Sequence, residues 1–203
     1  MKIKALLTGT LILASAVASS PSMAVEKGDW LMRGGVTYVA PKSDNHSVVS
    51  VDSAASLGLN FSYMMTSNIS LEVLAAYPFE HDIRLKGTDT KVATTEHLPP
   101  TFSVQYHFMP DNAFKPYVGL GVNYTFFFST KTVGPLEGLK LDLGNSWGLA
   151  GEIGADFMMS DNWLLNFSAR YIDIGTKAVL AGDSLGEVNI DPMVYSLMIG
   201  YKF

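Results

Sequence analysis

From Trp30 onward the chain repeats one pattern eight times: every second residue is apolar or small, and charge is confined to the positions between. The first segment carries Trp30, Met32, Gly34, Val36, Tyr38 and Ala40 on one face, the second Leu57 to Met65, the third Leu71 to Phe79 and the fourth Phe102 to Phe108. The fifth runs from Val118 to Phe128, the sixth from Trp147 to Phe157, the seventh from Trp163 to Tyr171, and the last from Met193 to Phe203. Successive side chains of a strand point to opposite faces, so strict alternation predicts eight strands with one charge-free face. Each is about the length of a tilted transmembrane strand, ~9 to 11 residues. The other face holds Arg33, Glu72, Glu152, Asp156, Arg170 and Lys202.

Alternation also suits a soluble sandwich, whose apolar faces meet in a core. Three features favour a barrel. The connections alternate in length: Thr66 to Asn68, Met109 to Ala113 and Ser160 to Asn162 are tight, whereas 41–55, 80–97, 129–145 and 174–190 are long. Short turns on one side and long loops on the other are the outer-membrane arrangement. Aromatics gather at both ends of the charge-free face, with Trp30, Phe108, Phe157 and Trp163 on the short-turn side and Tyr77, Trp147, Tyr171 and Tyr195 on the other. Such girdles mark the two membrane interfaces. The last apolar-face residue is Phe203, an ending that outer-membrane barrel proteins generally show. The expected fold is all-β: an eight-stranded antiparallel transmembrane β-barrel with short periplasmic turns and long extracellular loops.

The start of the chain differs in kind. Lys2 and Lys4 precede a mostly apolar run from Ala5 to Ala18, and Ser22-Met23-Ala24 follows. This reads as a cleavable signal peptide over residues 1–24, with the barrel over 25–203 and export to the outer membrane of a Gram-negative cell. The apolar run falls short of the roughly 20 residues of a spanning helix. The 203-residue chain has 14 Lys and Arg against 19 Asp and Glu, and losing Lys2 and Lys4 deepens the acidic excess. That balance lacks the basic footprint of a nucleic-acid binder. There is no cysteine. An exported chain without disulfides depends on packing and backbone hydrogen bonding. Its four histidines stand in no recognisable nucleophile motif, and nothing resembles a Gly-rich phosphate loop. Neither enzyme nor cofactor is expected.

The residues also carry a resemblance. Gly28-Asp29-Trp30-Leu31-Met32-Arg33-Gly34, Ser70 to Pro78, His97-Leu98-Pro99-Pro100-Thr101, Lys115-Pro116-Tyr117-Val118-Gly119, Ser146-Trp147-Gly148, Tyr171-Ile172-Asp173-Ile174 and Gly200-Tyr201-Lys202-Phe203 occur in an order that resembles the outer membrane protein W (OmpW/AlkL) family across the mature sequence. The resemblance implies a barrel that lets small hydrophobic molecules cross the outer membrane and leave sideways into its lipid. It also implies, for some members, service as a bacteriocin receptor. A structural or receptor barrel with a closed lumen, binding bacteriocin or phage through its loops, is the alternative.

Parity places Asn60, Met64, Leu74, Ala76, Ala150, Ile172, Val194 and Met198 on the inward face. That apolar set fits either simple core packing or a hydrophobic conduit, and the resemblance favours the conduit. A three-residue turn at Ser160 to Asn162 sets Met159 opposite Trp163, which brings Glu152 across from Arg170. Opposite charges facing each other in a narrow lumen predict a salt bridge, read first as a staple of the wall and second as a constriction. Pro78, Pro99 and Pro100, with His97, mark where strand pairing is interrupted, either as plain strand ends or as a lateral opening. His81 and His97 flank the second long loop and are expected to meet at the rim as hydrogen-bonded anchors, only weakly as metal ligands.

Overall fold

The computed structural model describes residues 23–203. The expected signal segment lies outside the described residues apart from Met23 and Ala24. Fourteen strands follow in chain order: β1 (Trp30–Ala40), β2 (Val49–Val51), β3 (Ala54–Met64), β4 (Ile69–Ala76), β5 (Phe79–Leu85), β6 (Lys91–Leu98) and β7 (Thr101–His107). After them come β8 (Phe114–Thr132), β9 (Leu141–Leu143), β10 (Ser146–Met158), β11 (Trp163–Ile172), β12 (Gly175–Leu180), β13 (Asp183–Asn189) and β14 (Met193–Lys202). No helix of the described residues is long and apolar enough to cross a membrane.

Eight of these strands close a barrel. Neighbours pair antiparallel in the order β1, β3, β4, β7, β8, β10, β11, β14, and β14 pairs back onto β1 through Arg33 opposite Gly200 and Tyr38 opposite Tyr195. Closure removes both sheet edges, which satisfies the backbone groups of a chain surrounded by lipid. At Gly35 the wall is tight: a Cβ there would meet Leu197 O at 2.2 Å. The period-two alternation that predicts the strands also sets their outer face. Trp30, Leu57, Tyr77, Leu120, Trp147, Ile153 and Phe203 are all more than half exposed. Apolar side chains so exposed need lipid around them.

The three tight turns lie at one end of the barrel. At the third, Met159 N and Ser160 N both donate to Trp163 O, closing a turn over Ser160 to Asn162. At the other end the long connections are not loose. The second forms the β5–β6 hairpin, joined to the upper half of β8, which runs nineteen residues because it continues past the wall. The first adds β2 to β5, and the third and fourth build a small sheet in the order β13, β12, β9. Ala181 (φ 52°) and Gly182 (φ 97°) make the two-residue turn of the β12–β13 hairpin, where both central residues need positive φ.

Candidate functional site

The interior is layered along the barrel axis. At the short-turn end Val25, Leu31, Met64, Met158 and Leu164 form an apolar plug, and the chain before β1 is tied there by Val25 N to Pro110 O and Gly28 N to Met64 O. Met64, expected in the conduit, belongs to this plug instead. Alternation fixes which way a side chain points but not its depth, and Met64 is the last residue of β3 at the closed end.

Above the plug lies a polar layer with almost no exposure to solvent. Arg33 donates through Nε to Asp156 Oδ1 at 2.9 Å and through Nη2 to Asp156 Oδ2 at 2.5 Å, a two-point contact that fixes the guanidinium plane. Its Nη1 donates to Ser62 Oγ at 2.8 Å. Glu152 and Arg170 are register partners, and Arg170 Nη2 lies 2.8 Å from Glu152 Oε2. The same nitrogen donates to Glu72, so one guanidinium serves two carboxylates. Gln105 Nε2 lies between those two acids, 2.5 Å from Glu72 Oε2 and 3.0 Å from Glu152 Oε2. Tyr117 and Asn166 link the Glu152 side to Asp156. Charges held away from water persist only when paired and hydrogen-bonded, and this layer pairs them across four strands of the wall. Met198, buried on β14, sits opposite both Gly35 and Asn166.

Over the polar layer the lumen turns apolar again. Val39, Phe79, Ala150, Ile172, Ile174, Ala178, Val188, Ile190 and Val194 pack together, with Ala76 against them. Leu74 is buried on β4 just below Ala76. Above this, where the strands extend beyond the wall, the long connections surround a cavity of about 320 Å³ lined mainly by aliphatic side chains such as Val51, Ile83, Val92, Leu143, Val188 and Ile190.

His81 and His97 line its wall, their rings stacked at 4.8 Å between Phe79 and Phe127. Both are buried. His81 Nδ1 contacts Asp52 O at 2.5 Å, which ties β5 to the first long connection. Burial disfavours the charged ring: it lowers the His81 pKa, and it pushes that of His97 down to about 3 with His81 adding to the effect. Among the described residues no group of three or more potential ligands gathers as a metal site.

Beside this pair the wall ladder is interrupted. Pairing of β4 with β7 ends at Leu74 opposite Thr101, and antiparallel pairing resumes only at Phe79 opposite His97. The span between holds Ala75 to Pro78 on one side and Leu98, Pro99 and Pro100 on the other. Three prolines there lack the N–H that a ladder needs. The carbonyls turn to other partners instead, Pro99 O to Thr101 Oγ1 and Pro100 O to Tyr124 N and Asn123 Nδ2.

Reading from the sequence found Glu152 with Arg170 but missed Glu72 as the third member and the pairing of Arg33 with Asp156. All stood on the inward parity. Glu72 and Arg170 are on strands that are not neighbours, so no register sum links them. The cavity itself was also missed, because it is built by the long connections.

Residues 26–203 match the OmpW family. The chain is 42% identical to outer membrane protein W of Vibrio cholerae over 98% of this chain and the whole of that protein. It is 39% identical to outer membrane protein W of Escherichia coli K12, covering 97% and 99% of the two. Among solved structures, that of OprG from Pseudomonas aeruginosa is similar at a TM-score of 0.80 and 38% identity, covering 89% of this chain and 98% of that one.

Proposed function

Because the chain belongs to the OmpW family and is an outer-membrane barrel, we propose that it takes up small hydrophobic molecules at its extracellular end and releases them sideways through the wall into the membrane. The short-turn end faces the periplasm. The observation that carries this reading is the apolar cavity of about 320 Å³, bordered by His97 two residues before the double proline where the ladder stops. Below it the barrel is blocked twice, by the layer joining Arg170 to Glu72 and Glu152 and by the plug around Leu164.

The physical chemistry favours the sideways route. An apolar solute gains from leaving water for the cavity, at roughly 25 cal/mol per Å² of apolar surface covered, and loses little on passing from there to lipid. Going straight down means parting a buried guanidinium from its carboxylates, which costs several kcal/mol. Leaving between Ala75–Pro78 and Leu98–Pro100 breaks no ladder pair.

The test is uptake of a hydrocarbon such as nonane by vesicles whose outer leaflet carries lipopolysaccharide. Vesicles holding the protein are expected to fill faster than empty ones without gaining ion conductance. A protein that only presents its loops to a bacteriocin or phage leaves uptake at the empty-vesicle rate.

A further inference from the structure

His81 carries an unused hydrogen-bonding atom in a mainly apolar chamber. Its Nδ1 lies 2.5 Å from Asp52 O, and a carbonyl oxygen only accepts, so Nδ1 holds the proton. In the neutral ring this leaves Nε2, on the far side from Asp52, as a bare acceptor. Among the described residues that atom is buried and has no hydrogen-bond partner. The other orphaned buried side-chain atoms belong to Asn60, Asn166 and Arg170, inside the polar layer. The threonines lining the cavity are satisfied: Thr176 Oγ1 donates to Gly144 O at 2.7 Å, and Thr95 Oγ1 pairs with Thr130 Oγ1 at 3.0 Å. The cavity therefore offers an unpartnered acceptor at His81 Nε2, set in mainly aliphatic and aromatic walls.

We propose that the cavity selects small, mostly apolar molecules carrying a hydrogen-bond donor, a hydroxyl or an N–H, which donates to His81 Nε2 while the apolar body lies against Val51, Ile83, Val92 and Val188. This inference rests on reading the cavity as the intake of the channel and names the class of molecule it prefers. Stacking on His97 fixes the His81 ring, and the Asp52 carbonyl fixes its tautomer, so the acceptor is set before the ligand arrives. A plain hydrocarbon leaves Nε2 unpaired, and an unmade hydrogen bond at a buried atom is where discrimination between similar ligands arises. A metal ion fits the same atom poorly, since the described residues supply no third ligand.

The experiment compares 1-octanol with nonane, in which a methyl group replaces the hydroxyl, binding to the full chain in lipid nanodiscs. Each is measured on wild type and on His81→Phe, which keeps the stacked ring and removes the acceptor. Taking the ratio of variant to wild type for each ligand cancels partition into lipid. Octanol binding is expected to weaken on the order of ten-fold in His81→Phe while nonane binding is unchanged. In wild type alone, octanol should shift the ¹⁵N resonance of His81 Nε2 and nonane should not, so a variant that fails to fold does not remove the test. Equal loss for both ligands, no loss for octanol, or no resonance shift overturns the proposal. Uptake measured in parallel separates the two readings: nonane flux with no octanol preference leaves the channel standing and removes the His81 role. Selective octanol binding without flux of either molecule removes the channel and keeps the binding site.

Discussion

The interior enclosed by the eight wall strands and the chamber built above it by the long connections are both lined by inward side chains of strands yet end up opposite in character, one filled and the other hollow. Within the wall, eight strands enclose a width that side chains span, so Arg33 reaches Asp156 and Arg170 reaches Glu72 across the lumen. Beyond the wall, β5, β6, β8 and the β12–β13 hairpin continue without closing a second barrel, and their inward residues, mainly aliphatic, do not meet in the middle, so a cavity remains. The lesson is that parity decides the chemistry of a lumen, while the enclosed width decides whether that chemistry is a plug or a pocket.

The sharpest way to break this contrast is in the polar layer. Arg170→Ala leaves Glu72 and Glu152 without their shared cation, and unfolding in detergent is expected to lose about 3–5 kcal/mol. The proposed lateral route leaves the barrel above this layer, so it predicts that hydrocarbon uptake by the surviving folded protein is unchanged. A change in uptake makes the pair a gate rather than a staple.

Core truncations should separate the two regions next. Leu164→Ala opens a hole in the packed periplasmic plug and is expected to cost about 2–5 kcal/mol. Ile83→Ala only enlarges a space that already exists, and should cost less than half as much. Equal losses from denaturant unfolding contradict the picture of a filled base and a hollow top.

A gentler probe is pH. The folded-state pKa of His97 lies at about 3 and that of His81 is also lowered, both chiefly by burial, against roughly 6.5 in an unfolded chain. A depressed pKa means that the unfolded chain binds protons first as pH falls. The stability these neutral rings contribute is complete above about pH 6.5 and is lost progressively down to about pH 3. Asp52 and Asp82 partly offset this at His81. Hydrogen-exchange protection of β5 and β6, corrected for intrinsic rates, should therefore fall between pH 6.5 and 4 in wild type and much less in His97→Phe. Protection that stays flat in wild type contradicts the buried neutral pair.

The smallest effect is expected at the tip of the β12–β13 hairpin. Ala181 holds φ at 52°, a region that asparagine adopts at lower cost than alanine. Ala181→Asn should stabilise the hairpin by about 1 kcal/mol, visible as slower exchange of the Thr176 and Val188 amides.

Sequence reached the wall more easily than the mouth. The eight wall strands were legible because lipid outside and a narrow lumen inside impose opposite demands on alternate residues, and Glu152 with Arg170 followed from one tight turn. Glu72 was placed on the inward face but not paired, since its partner Arg170 lies across the lumen and pairing arithmetic links only adjacent strands. Met64 was put in the wrong layer for a related reason, as alternation has no depth coordinate. The strands beyond the wall escaped notice because they pair with one another through a bulge at Ile83/Arg84 and a second shift between Thr94 and Glu96, which break the period that reveals a strand.

Lateral release depends on the gap in the ladder between Ala75–Pro78 and Leu98–Pro100. Replacing Pro99 and Pro100 together by valine restores two N–H donors where pairing stops, and nonane uptake by vesicles with a lipopolysaccharide outer leaflet measures whether the gap is the exit. A lateral channel predicts that uptake drops toward the rate of empty vesicles while the variant still folds as a barrel. Uptake equal to wild type in that folded variant contradicts it.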